Sequence, residues 1–254
     1  MNACSRLLMR LLILSCVAMT GAAYAAEKWP TRPIRLIVPF GPGGATDIVT
    51  RLLQPGMMEF LGQPIVVDNR SGASGNIGAE LAARAAPDGY TIIISNVSVA
   101  SINPTLFAST LKTDLTKELV GVTMLSATPD VLIARADFAP RNVKAGRLKA
   151  YAVAAPQRLP QYPGVPTMAE AGYPGVDSVN WNGFFVPRGT PRPIMDRLYA
   201  ASLRAAQQPQ VQAGFEKAAM PISTSKTPEE FQAFVVGELK RWTRIIKENN
   251  IKVD

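Results

Sequence analysis

Between a β-branched run, Ile34-Arg35-Leu36-Ile37-Val38, and a stretch with apolar residues at helical spacing, the chain reads Pro39-Phe40-Gly41-Pro42-Gly43-Gly44-Ala45-Thr46-Asp47. Glycines in such a strand-to-helix turn let the backbone approach a ligand closely, and the unpaired N–H groups at a helix start favour an anion. Thr46 can donate its hydroxyl. Asp47 can accept from a ligand N–H or O–H, or simply cap the helix. On spacing alone an anion site and an ordinary tight turn stand level. A dinucleotide fingerprint fits poorly, because Thr46 occupies the third glycine position, and no Gly-Lys-Ser/Thr ending makes a phosphate loop. Ser71-Gly72-Ala73-Ser74-Gly75-Asn76 is a weaker version of the same pattern.

Other chemistries are excluded by composition. The 254 residues contain no histidine, which removes histidine bases, Ser-His-Asp and Cys-His triads and histidine-bearing zinc sites. The two cysteines, Cys4 and Cys16, lie in the first sixteen residues, so the body of the chain has no disulfide or thiolate. Only carboxylate or lysine catalysis is left, and no acid pair or lysine stands out in a plausible site. We therefore expect no catalytic residue, no metal and no cofactor.

Residues 1–25 read as a secretory leader, with Arg6 and Arg10, an apolar stretch from Leu11 to Met19, and Ala23-Tyr24-Ala25 as the cleavage site. Cys16 also suggests a lipid-anchoring cysteine, but the apolar run continues past it. This predicts a periplasmic protein. The net charge is +8, and removing Arg6 and Arg10 leaves +6. The basic residues are scattered, and the densest group, Lys240, Arg241, Arg244 and Lys247, follows helical spacing. A solvated helix face explains it better than nucleic acid does.

The first half alternates strand and helix. Ile34–Val38, Pro64–Asp68 and Tyr90–Ser95 are strands, with intervening helices marked by Ile48, Val49, Leu52 and Leu53, and then by Ile77, Leu81 and Ala85. Pro55-Gly56 should kink or break the first helix. This order implies a parallel sheet with helices on both faces. Leu119–Leu125 and Val131–Ala134 are two strands or one segment passing between domains; Leu148–Ala154 and Gly183–Val186 are further strand candidates. Thr190-Pro191 opens a helix through Ile194, Leu198 and Ala201. Thr227-Pro228-Glu229-Glu230 is a capping box opening the last helix, whose apolar face runs from Phe231 to Ile246.

From Trp29 onward the chain resembles the tripartite tricarboxylate transporter receptors, the Bug-type periplasmic solute-binding proteins. The resemblance rests on Trp29-Pro30-x-Arg32-Pro33-Ile34, the Pro39–Asp47 loop, Asn69-Arg70-x-Gly72-Ala73-x-Gly75-Asn76-Ile77-Gly78, Ala86-Pro87-Asp88-Gly89-Tyr90 and Ile102-Asn103-Pro104. Further on it includes Lys144-Ala145-Gly146-Arg147-Leu148, Val165-Pro166-Thr167-x-Ala169-Glu170-Ala171-Gly172 and Gly189-Thr190-Pro191. It implies a type II-like periplasmic-binding-protein fold of the α/β class, with parallel-rich sheets and flanking helices. Two domains would close over a small organic acid or amino-acid-like solute and hand it to a membrane permease. Carried over by motif, Phe40, Gly43, Gly44, Ala45, Thr46 and Asp47 would hold a carboxylate of the solute. Ser95 and the loop to Asn103 would line the same cleft, and Trp181 would approach from the second domain unless it is a packing residue.

The chain departs from the family after Val143, where several strand-helix units, including a loop that faces the first-domain loop, are skipped. The expected domains are residues 26–130 with 221–254, and a truncated second domain over 131–220. An alternative function follows from the loss: a homologue that no longer binds and acts only through protein contacts.

Overall fold

The structure, a computed structural model, describes residues 29–135 and 148–253; the expected leader and the junction at Val143 lie outside these residues. Five strands form the larger sheet: β1 (Ile34–Val38), β2 (Ile65–Asn69), β3 (Thr91–Asn96), β4 (Leu119–Pro129) and β7 (Val179–Pro187), in the order β2-β1-β3-β7-β4. The β1–β2 and β1–β3 pairs are parallel, while β7 runs antiparallel to both β3 and β4. A smaller sheet pairs β5 (Val131–Arg135) antiparallel with β6 (Leu148–Val153).

Strand periodicity divides the core in two. Ile34, Leu36, Val38, Ile92 and Ile94 point to one face, where α1 (Ala45–Leu61) and α5 (Arg192–Gln207) cover them with Val49, Leu53, Met57, Leu198 and Ala201. Ile37 and Ile93 point to the other, under α2 (Asn76–Ala83) and α7 (Pro228–Glu248). The expected strands are present, and β1, β2 and β3 pair in parallel; the expected parallel-rich character ends there, because the strands of the second half pair antiparallel and make the larger sheet mixed. The predicted cap of α7 is also present, where Thr227 Oγ1 accepts from the Glu230 N–H at 3.1 Å.

Three expectations are corrected. Pro55 does not end the first helix; α1 runs through it to Leu61. An interior proline costs about 3 kcal/mol. Val49, Leu53, Met57 and Leu61 are buried on both sides of it, each contributing about 1.5–3 kcal/mol, so packing outweighs the break. In α2, Ile77 and Leu81 turn to solvent, while Ala79, Ala82 and Ala83 face the sheet. Small residues win there because α2 lies so close that a Cβ on Gly78 would sit 2.9 Å from Pro39 Cα. Finally, residues assigned to the second domain build the first: β7 joins the larger sheet, and α5 and α6 (Pro209–Lys217) pack beside α1. β7 is recruited because Phe184 and Val186 fill one core and Trp181 and Phe185 the other.

The two sheets meet at a narrow crossing. Only Asp130 separates β4 from β5, and its N–H donates to Ser178 O, while Ala154 N–H donates to Asp130 O. The returning segment lies against β4 through Ala127 N–H to Pro221 O and Ser223 N–H to Leu125 O.

Candidate functional site

The loop between β1 and α1 sits at the carboxyl end of a parallel strand, where ligands bind in open α/β sheets. Gly41, Gly43, Gly44 and Ala45 are exposed. Gly44 is the N-cap of α1, and no side chain caps the helix. Helix geometry leaves the N–H groups of that first turn without intrahelical acceptors, and the dipole of a 17-residue helix adds positive potential there. Gly43 has φ +82°, a conformation that side chains rarely adopt.

Below the loop, polar groups fix its shape. Asp47 is 2% exposed. Its Oδ2 accepts from the Gly43 N–H at 3.0 Å and Arg51 Nε at 2.8 Å, and its Oδ1 from Asn69 Nδ2 at 3.0 Å. Asn69 Nδ2 also donates to Phe40 O at 3.0 Å, and Arg51 Nη2 reaches Asn69 Oδ1 at 3.3 Å. Burial pushes the Asp47 carboxyl up, but the hydrogen bonds from Arg51, Gly43 and Asn69 outweigh it and hold its pKa below the ordinary value. The carboxylate is thus ionised and occupied. Its geometry is that of a loop brace.

Thr46 is similarly engaged. Its hydroxyl donates to Asn182 Oδ1 at 3.0 Å, and Asn182 Nδ2 donates to Ser126 Oγ at 3.2 Å. Both Thr46 and Asp47 were expected to turn side chains to a solute; their polar atoms instead bind protein, and the exposed backbone of Gly41–Ala45 is what the loop presents. Phe40 is half-buried, its ring against Gly75 of the second glycine-rich loop.

The other expected residues lie elsewhere. Ser95 is 1% exposed, has no hydrogen-bond partner for its hydroxyl among the described residues, and lines a cavity of about 30 Å³ with Leu119, Phe185 and Val235. Asn103 is buried, its Nδ2 donating to Ser74 O at 2.9 Å and Asn76 Oδ1 at 2.8 Å, so it braces the second loop. Trp181 belongs to β7 of the larger sheet, not to the second domain. It is 0% exposed, packed edge-on against Phe231 and Phe234, with its indole N–H toward Glu238 at 3.3 Å. Phe185, Phe231 and Phe234 surround the ring on the side of the sheet that α7 covers. Asn69, Arg51 and Asn182 join the site only through the fold. Arg51 had a readable signal, lying one helical turn from Asp47. Asn182 had none, because its partners are distant in sequence.

Among the described residues, no group of three or more cysteine, aspartate or glutamate side chains could hold a metal ion. The family model of the tripartite tricarboxylate transporter family receptor matches residues 49–144 and 139–251. The chain belongs to that family. Its two matched pieces meet where the sequence departs after Val143. Among relatives, BugT of Bordetella pertussis is 27% identical, over 98% of this chain and 99% of BugT. That alignment spans 324 positions against 254 residues here, so BugT carries a long segment that this chain lacks. A solved periplasmic transporter superposes with a TM-score of 0.78 at 29% identity, covering 89% of this chain and 100% of the other. MatC of Rhodopseudomonas palustris, solved with malate bound, gives 0.76 at 28% identity, covering 86% and 100%. Bug-type receptors are periplasmic solute-binding proteins, so this α/β chain has the fold of a receptor and belongs with no class of enzyme.

Proposed function

We propose that this protein is an extracytoplasmic receptor that takes a small carboxylated metabolite at the β1–α1 loop and delivers it to a tripartite tricarboxylate-type permease. The uncapped start of α1 carries this reading: exposed backbone from Gly41 to Ala45, with its shape set from below by Asp47, Asn69 and Arg51. Such a cradle suits a carboxylate better than a cation. The bound malate of MatC supports an organic acid as the solute class. Gly43, Gly44, Ala45 and the Thr46 and Asp47 backbone are the contacts we assign, with Phe40 alongside. The shortened second domain makes the site more open than a two-sided cleft, and affinity should be modest as a result.

Thermal unfolding of the mature chain with a panel of di- and tricarboxylates tests this. An acid at a hundred times its Kd adds about 2.7 kcal/mol to the folded state, a readily measured rise in Tm. No shift with any acid at millimolar concentration refutes the binding role.

A second reading, a homologue that works only through protein contacts, draws on the two-stranded sheet, where Leu132 and Ile133 are 55% and 46% exposed. It requires a stable self-complex or partner complex. Sedimentation of a clean monomer counts against it.

A further inference from the structure

A large cavity lies away from the β1–α1 loop. A groove of about 750 Å³ opens beside the crossing between the two sheets, in the size range of small-molecule sites at domain boundaries. Its walls come from the end of β4, the Leu159–Tyr162 turn, the last turn of α5, α6 and the return segment Ala219–Thr224. Leu159, Tyr162, Leu203, Phe215, Met220 and Ile222 make the lining mainly apolar. No residue of the Pro39–Asp47 loop reaches it.

The charge of the lining sets the kind of molecule it fits. Among the described residues, no lysine or arginine contributes, although the whole chain carries a net +8. Among the described residues of the lining Glu216 is the one acidic side chain, exposed at the groove and paired with no cation among them. Gln161, Gln207 and Gln212 also line the groove, with amide groups that accept or donate. An organic anion would lose water here without gaining a positive partner. An apolar body bearing an amine would gain both the walls and Glu216. We propose that this groove is a second binding site, separate from the carboxylate loop, for a small cationic amphiphile.

Dansylcadaverine, an aromatic amine probe, and 1-anilinonaphthalene-8-sulfonate, an aromatic anion of similar size, distinguish the outcomes on the full mature chain. The proposal expects a saturable, one-to-one rise in dansylcadaverine fluorescence at lower concentration than the sulfonate requires, against the bias of the overall positive charge. Glu216→Lys should weaken the amine about fivefold, the scale of reversing an exposed charge contact. Leu203→Trp should fill the groove and abolish the signal; Thr224→Trp, at an exposed lining position, makes the same test if the first variant folds poorly. Excess malate should leave the amine bound. Tighter binding of the sulfonate, indifference of folded Glu216→Lys and Thr224→Trp, or displacement by malate would each overturn the proposal. Failure of the organic-acid panel would leave it standing, since the two sites share no residue.

Discussion

Thr46 Oγ1 donates to Asn182 Oδ1 at 3.0 Å, joining residues 136 positions apart. The bond ties the first turn of α1 to the middle of the larger sheet, where Asn182 faces Asn96 of β3 and Ser126 of β4. All three polar side chains, Thr46, Asn182 and Ser126, are buried. Asn182→Ala strands two hydroxyls at once. It should cost about 1–3 kcal/mol, the price of unsatisfied buried polar groups, read from urea unfolding. An unchanged midpoint would show that the relay contributes nothing.

Gly43 and Gly44 separate backbone strain from ligand contact. A Cβ meets nothing within 4 Å at Gly43 and only Gly41 O at 3.7 Å at Gly44, so neither is excluded by space. Gly43, however, has φ +82°. Gly43→Ala should lose about 1 kcal/mol, while Gly44→Ala should leave Tm nearly unchanged. Both place a methyl group on the exposed loop. With a solute against the amides at the start of α1, Gly44→Ala weakens binding in calorimetry without affecting stability; unchanged affinity in both variants would remove the loop from the site.

Asp47 makes the loop acid-sensitive. Its pKa is depressed below the ordinary 3.8 by the bonds from Arg51, Gly43 and Asn69, which outweigh the opposing effect of burial. A depressed carboxylate contributes its stability above the unfolded-state pKa, and that contribution is lost as pH falls through the lower folded value. Asp47→Asn should therefore be about 1.5–3 kcal/mol less stable than the parent at pH 7. The gap should close below about pH 3.8. A gap independent of pH would contradict the brace.

Trp181 and Ser95 are expected to behave as interior residues. Trp181→Ala opens the aromatic cluster with Phe231 and Phe234 and should cost about 3–5 kcal/mol. Ser95→Ala breaks no protein hydrogen bond among the described residues and should be neutral or slightly stabilising. If Trp181→Phe, which keeps most of the packing, or Ser95→Ala altered organic-acid affinity with Tm unchanged, either residue would return to the site.

The chain's local chemistry could be read from its residues. β1, β2 and β3 follow from short β-branched runs, the loop from its glycines, and the α7 cap from Thr227 and Glu230, because each depends on neighbours a few positions away. Absence of histidine and of body cysteines fixed what the site could not be. Tertiary packing decided the rest. It carried α1 through Pro55, turned Ile77 outward, drew β7 into the larger sheet with Trp181 at its centre, and closed the Thr46 and Asp47 side chains onto protein partners. Each of those outcomes depends on surfaces brought together from distant parts of the chain, and burial there outweighs the preference of any single residue.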